Sequence, residues 1–134
     1  MNTLKSHYLG ELRTSAEHLK SHQKLVSDAP TDNNGKGESF SPTDLVAAAL
    51  GSCMMTVMGI YAQKKGIVLE DLHWNTQKIM ASDPRRISGI RIDFHWPRPT
   101  ASPEGISKLK DIALNCPVAL SLHPELRQEI TFDF

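Results

Sequence analysis

Of the side chains in this 134-residue sequence that do covalent or redox chemistry, two cysteines occupy the most informative places. Cys53 lies in the middle of residues 45–63, a stretch with no charged side chain. A cysteine among Ala, Met and Val behaves by default as a small apolar side chain. Cys116 immediately precedes Pro117, which places it at the N-cap of a short helix. There the free N–H groups and the helix dipole favour a thiolate, with an incidental capping cysteine as the equal alternative. The two lie too far apart in sequence for a Cys-x-x-Cys motif, so any pairing must come from the fold. A count of two suits a working thiol pair rather than a disulfide scaffold.

The other reactive residue types offer less. The histidines are His7, His18, His22, His73, His95 and His123, and no His-Glu-x-x-His pattern occurs. His18 and His22 are four apart but fall in a turn-rich region, so neither a metal nor another cofactor is expected. Ser52 lacks the Gly-x-Ser-x-Gly context of a hydrolase nucleophile. Residues 32–37, Asp-Asn-Asn-Gly-Lys-Gly, form a polar turn without the spacing of a phosphate-binding loop.

Composition narrows the partners. Lys+Arg and Asp+Glu both number 15, so the formal charge is zero, which argues against nucleic acid and anionic membranes. Two cysteines are too few for a secreted disulfide scaffold, and residues 1–7 lack a basic segment followed by an apolar run. A cytoplasmic location is expected. Residues 45–63 approach the length of a membrane span, but Ala, Gly, Ser, Thr and Met dominate them, which reads as a buried core helix. The length suits one domain, residues 1–134.

Several elements must position these groups. Residues 4–28 read as short antiparallel strands joined by turns, although Leu4, Tyr8 and Leu12 also share a helix face. Ser41-Pro42-Thr43-Asp44 opens a helix running to Lys65, with Lys64 and Lys65 in its last turn and Gly66 as its stop. Small residues on it (Ala47, Ala48, Ala49, Gly51, Ser52) would admit another backbone closely. Residues 67–82 and 87–96 read as strands, the second alternating Ile90, Ile92 and Phe94 with Arg91, Asp93 and His95. Pro103 starts a helix ending near Asn115, Pro117 a short one to Leu122, and residues 128–134 a final strand. Trp74 and Trp96 are expected to anchor the sheet. The order gives an α+β fold with no βαβ alternation.

Residues 41–53, Ser-Pro-Thr-Asp-Leu-Val-Ala-Ala-Ala-Leu-Gly-Ser-Cys, followed by Asn115-Cys116-Pro117-Val118, resemble the OsmC/Ohr family of osmotically inducible and organic hydroperoxide resistance proteins. The similarity spans nearly the whole chain. It implies antiparallel sheets wrapped around a central long helix in an intertwined homodimer, with the active sites at its interface. It implies thiol-dependent reduction of organic or inorganic hydroperoxides, with an external dithiol restoring the thiols. Cys53 matches the peroxidatic cysteine, Cys116 the resolving one, and Arg13 the family's arginine, which would favour the thiolate and bind the peroxide. Leu50, Met54 and Met55 would accept an alkyl chain. One position departs from the family pattern. Thr43 stands where the hydroperoxide-resistance branch carries a glutamate that orients the arginine, and Asp44 and Glu38 are the candidates to replace it. That departure keeps open a non-enzymatic redox sensor or small-molecule binder, and a structural dimer whose cysteines only pack is a separate alternative.

Overall fold

The computed structural model describes all 134 residues, which fall into two compact units, Met1–Val46 and Ala47–Phe134. In the first, β1 (Leu4–Gly10), β2 (Arg13–His18) and β3 (Lys24–Asp28) form an antiparallel sheet in that order. The strand reading of residues 4–28 therefore holds against the helical alternative. The β1–β2 turn places Glu11 and Leu12 at positive φ, which twists the hairpin tightly and brings Arg13 directly out of the turn. A 3-10 turn, Thr31–Asn33, folds the next segment back on itself. Gly35 and Gly37 donate there to the carbonyls of Pro30 and Ala29. A Cβ on Gly35 would lie 1.8 Å from the Ala29 carbonyl oxygen, so only glycine fits.

Helix α1 (Pro42–Lys65) starts as the sequence predicts. The Asp44 N–H donates to Ser41 Oγ at 3.0 Å, and the Ser41 N–H donates to Asp44 Oδ2 at 2.9 Å. This reciprocal box satisfies two backbone donors at the buried N-terminus. At the other end Gly66 adopts φ +67° and the Ile67 N–H reaches back to the Ala62 carbonyl at 2.9 Å.

In the second unit, β4 (His73–Ala81), β5 (Arg86–His95) and β6 (Arg127–Asp133) form a sheet in that order. Ile90, Ile92 and Phe94 of β5 are fully buried, and Arg91, Asp93 and His95 take the other face. Helix α1 packs on the apolar face. A Cβ on Gly51 would come within 2.6 Å of Trp74 Nε1 and 3.5 Å of Ile92 Cδ1, so the missing side chain is what lets helix and sheet approach. Trp96 is 2% exposed and meets Phe134 edge-on. Lys110 of α2 (Pro103–Leu114) lies over the Phe132 and Phe134 rings.

Three expectations need correction. The sheets are not both antiparallel: β6 runs parallel to β5, in register from Gly89↔Arg127 to His95↔Asp133. Helices α2 and α3 (Pro117–Ser121) make the crossover that a parallel neighbour requires, so one β–α–α–β unit exists where no βαβ alternation is expected. Residues 67–72 are not strand; the α1 cap and a left-handed Asp71 (φ +62°) delay β4 to His73. Helix α1 is not buried all round either. Ala47, Leu50, Gly51, Met54, Met58 and Ala62 are buried along one stripe, whereas Ala48, Ala49, Ser52 and Ile60 are exposed. It is the one helix long and apolar enough to cross a membrane.

Candidate active site

The thiols meet within the second unit. Helix α1 carries Cys53 at mid-length, half-buried, and Cys116 caps α3 with an exposure of 1%. Cys116 Sγ accepts the Ala119 N–H at 3.5 Å, and the Cys116 carbonyl accepts the Leu120 N–H at 3.1 Å. Behind it, Asn115 Nδ2 donates to the Asp111 carbonyl at 2.8 Å and so ends α2. Cys53 is near enough to Cys116 to influence its ionisation. The fold thus brings together two sulfurs that the sequence leaves unconnected, and both are free thiols.

The ionisation expected of Cys116 is overturned. Burial pushes its thiol above the ordinary cysteine value, the neighbouring Cys53 pushes it further, and the Ala119 N–H offsets only part of this. A helix of five residues has too small a dipole to outweigh removing a sulfur from water. Cys116 is therefore a protonated thiol at neutral pH. The consequence for stability has a definite sign. An unfolded chain releases this proton near pH ~8.5, below the folded value. Below that pH both states hold the proton and the group contributes nothing. Above it the unfolded state is favoured and stability falls. Above pH about 8.5 the melting temperature should fall more steeply in the wild type than in Cys116→Ala. Equal slopes would contradict the assignment.

The arginine cluster belongs to the first unit. Arg13 and Asp28 are directly opposed on β2 and β3. Arg13 Nη2 donates to Asp28 Oδ2 at 3.3 Å and to Glu38 Oε2 at 2.6 Å. Asp28 is 1% exposed, whereas the Glu38 side chain is 62% exposed. The Glu38 N–H and then Arg13 hold the Asp28 carboxyl below the usual aspartate range, and Glu38 and then Asp28 raise Arg13. Arg13 is permanently charged. Its Nε is buried and makes no hydrogen bond within the protein, and the same is true of Asp28 Oδ1. Of the candidates to hold Arg13, Glu38 makes the ion pair. Asp44 closes the helix cap, and the Thr43 hydroxyl lies 3.2 Å from Ser41 Oγ. Asp28 escaped the sequence reading; the signal that would have exposed it is the β2–β3 register, which the turn at residues 19–23 sets.

Other candidates resolve simply. Leu50 and Met54 are fully buried core residues, which leaves Met55 as the accessible member of the proposed alkyl surface. His18 pairs with Ser21 Oγ and His22 with Glu17 in the same hairpin. No group of three or more His, Cys, Asp or Glu side chains is placed to hold a metal ion.

The sequence profile of the OsmC-like protein family matches residues 35–131, which include Cys53, Cys116 and the α1 cap. The chain belongs to the OsmC-like family. Solved OsmC-like folds agree along its whole length. A candidate osmotic-stress-induced and detoxification-response protein of Psychrobacter arcticus is 43% identical, with 98% of this chain and 96% of that one covered at a TM-score of 0.93. An organic hydroperoxide resistance protein OsmC of Legionella pneumophila, a predicted redox protein and regulator of sulfide bond formation, is 18% identical (100% and 98% covered, TM-score 0.76). A candidate organic hydroperoxide resistance protein of Vibrio cholerae, with captopril bound in one of its active sites, is 12% identical (99% and 92% covered, TM-score 0.74). The two distant similarities concern the fold alone. No curated protein matches the chain. The OsmC-like architecture, with a long helix bearing one cysteine and a short helix capped by the other, accounts for how distant parts of the sequence assemble the thiol pair.

Proposed function

We propose that this OsmC-like chain is a thiol-dependent reductase of organic hydroperoxides. The observation that carries the reading is the thiol pair: a half-buried Cys53 neighbouring a buried Cys116 whose ionisation it influences. Accessibility assigns the order, because a peroxide must reach the sulfur that attacks. Cys53 thiolate attacks the terminal oxygen, the O–O bond breaks, and the alkoxide leaves and takes up a proton as the alcohol. Cys53 is left as a sulfenic acid. The Cys116 thiol then condenses with it, releasing water and forming the Cys53–Cys116 disulfide. An external dithiol restores both thiols by exchange and leaves as its own disulfide. Arg13, partly exposed and held by two carboxylates, supplies a fixed positive charge beside which the peroxide can bind. Its pairing with Asp28 and Glu38 weakens the case that Thr43 makes the chain a non-enzymatic sensor or binder. The names of the Legionella and Vibrio relatives agree with the peroxide chemistry.

The working form is a homodimer in the cytoplasm, where thiols are kept reduced. Two features support the dimer. One face of α1 is left apolar and exposed, and the three-stranded N-terminal sheet exposes Leu4, Tyr8, Leu9 and Leu25. The test is consumption of cumene hydroperoxide by the reduced protein with an excess of dithiol. Many turnovers per chain are expected, in a species sedimenting at twice the 14.9 kDa chain mass. Peroxide left intact by a fully reduced protein would sink the enzymatic reading, and a monomer at micromolar concentration the dimeric one.

A further inference from the structure

We infer that Asp28, a strand residue, is the positioning residue for Arg13 in this reaction. The inference rests on the proposed function and concerns how this chain builds that site.

The argument begins with the backbone. Antiparallel pairing of β2 and β3 sets Arg13 opposite Asp28, so their side chains are neighbours on one face whatever the loops do. Asp28 is tied on three sides. Its Oδ2 accepts the Glu38 N–H at 3.0 Å as well as Arg13, and its own N–H donates to the Phe40 carbonyl at 3.0 Å. One aspartate thereby grips both the arginine and the segment that carries Glu38. Next to it, Ser27 is also buried and its Oγ lies 2.5 Å from Thr14 Oγ1, which stiffens the same strand pair.

The two carboxylates then differ in what they can do. Glu38 makes the shorter contact but stands in water, where an ion pair is screened and its long side chain costs rotamer entropy. Asp28 is already fixed and dry, so its hold on Arg13 orders nothing further. The two hydrogens of Nη2 are both spent, one on each carboxylate. That fixes the plane of the guanidinium and with it the direction of the two Nη1 hydrogens, while the buried Nε–H reports on whether the group is held. Removing Asp28 leaves the charge near its place but unaims those hydrogens. A misplacement of about 1 Å can cost about a hundredfold in rate.

Four variants test this by kcat/KM for cumene hydroperoxide, together with the 1H–15N signal of Arg13 Nε. Asp28→Asn keeps the shape of the side chain and an acceptor for the Glu38 N–H. It should lose about tenfold or more in kcat/KM, and its Arg13 Nε–H signal should broaden through exchange with water. Glu38→Gln should lose about threefold at most and keep a sharp signal. The double variant Asp28→Asn/Arg13→Ala should be no slower than Arg13→Ala, because a residue acting only through Arg13 has nothing left to position. Arg13→Lys, which leaves Asp28 untouched, should fall within about threefold of Arg13→Ala, since lysine offers no planar fork to orient. The inference is overturned if the losses multiply in the double variant, if Asp28→Asn retains both rate and signal, or if lysine restores most of the rate. A wild type without turnover would sink the peroxidase reading separately. The Arg13 signal would still decide whether Asp28 holds the arginine.

Discussion

Cys53→Ser is expected to lower steady-state consumption of organic hydroperoxide by about a thousandfold or more, because the residual activity of an enzyme without its nucleophile rests on binding and charge alone. The magnitude follows from what serine lacks. A hydroxyl at neutral pH is almost wholly protonated and is a poor nucleophile toward a peroxide oxygen, whereas a thiolate is soft and reactive. The substitution removes little packing, since Cys53 is half-buried on the middle of α1 and the helix core beside it is made by Leu50, Met54 and Met58. Fold and melting temperature should therefore remain near those of the wild type, which separates loss of chemistry from loss of structure. A Cys53→Ser protein that consumed peroxide at the wild-type rate would place the reaction elsewhere in the molecule.

Cys116→Ser should behave differently, and the difference identifies the second thiol's part. The first turnover, measured as one equivalent of alcohol per chain in a stopped-flow mixing experiment, should stay within about threefold of the wild type. Attack on the peroxide does not use Cys116, so that step survives. Steady-state turnover should fall about tenfold or more, because the dithiol must then reduce a sulfenic acid directly instead of a disulfide. With excess peroxide the trapped sulfenic acid should advance to sulfinic acid and the protein should inactivate. If the first turnover were lost as completely as in Cys53→Ser, Cys116 would belong to the attacking step. If steady-state turnover were unchanged, the buried thiol would be a packing residue only.

The readability of this molecule divides along physical lines. Helix α1 was legible to the residue because its ends are set by local chemistry: Ser41 and Asp44 at one end and the left-handed Gly66 at the other. The alternation of β5 was legible because one face is dry. The direction of β6 was not, since a period of two is the same whether a strand runs parallel or antiparallel. Residues 67–72 looked like strand from their apolar content, but the cap after Gly66 and the positive φ of Asp71 decide otherwise. For the site, the positions of Cys53 and Cys116 could be read and their proximity could not, because it depends on how α1 and α3 pack in the second unit. The ionisation of Cys116 was read with the wrong sign, since the helix dipole is visible in a sequence and the degree of burial is not. Asp28 was missed for a related reason. A lone aspartate at the end of a strand looks like a solvated turn residue until the register sets it against Arg13.

The central claim is that Cys53 and Cys116 form one redox couple. The most direct measurement adds one equivalent of cumene hydroperoxide to the fully reduced protein, without dithiol, then quenches, digests and maps the peptides by mass spectrometry. The account predicts a single intrachain link between the Cys53 and Cys116 peptides, two hydrogens lighter than the free pair, and reversal on adding dithiol. Recovery of both peptides as free thiols, or of Cys53 oxidised while Cys116 remains a thiol, would contradict it.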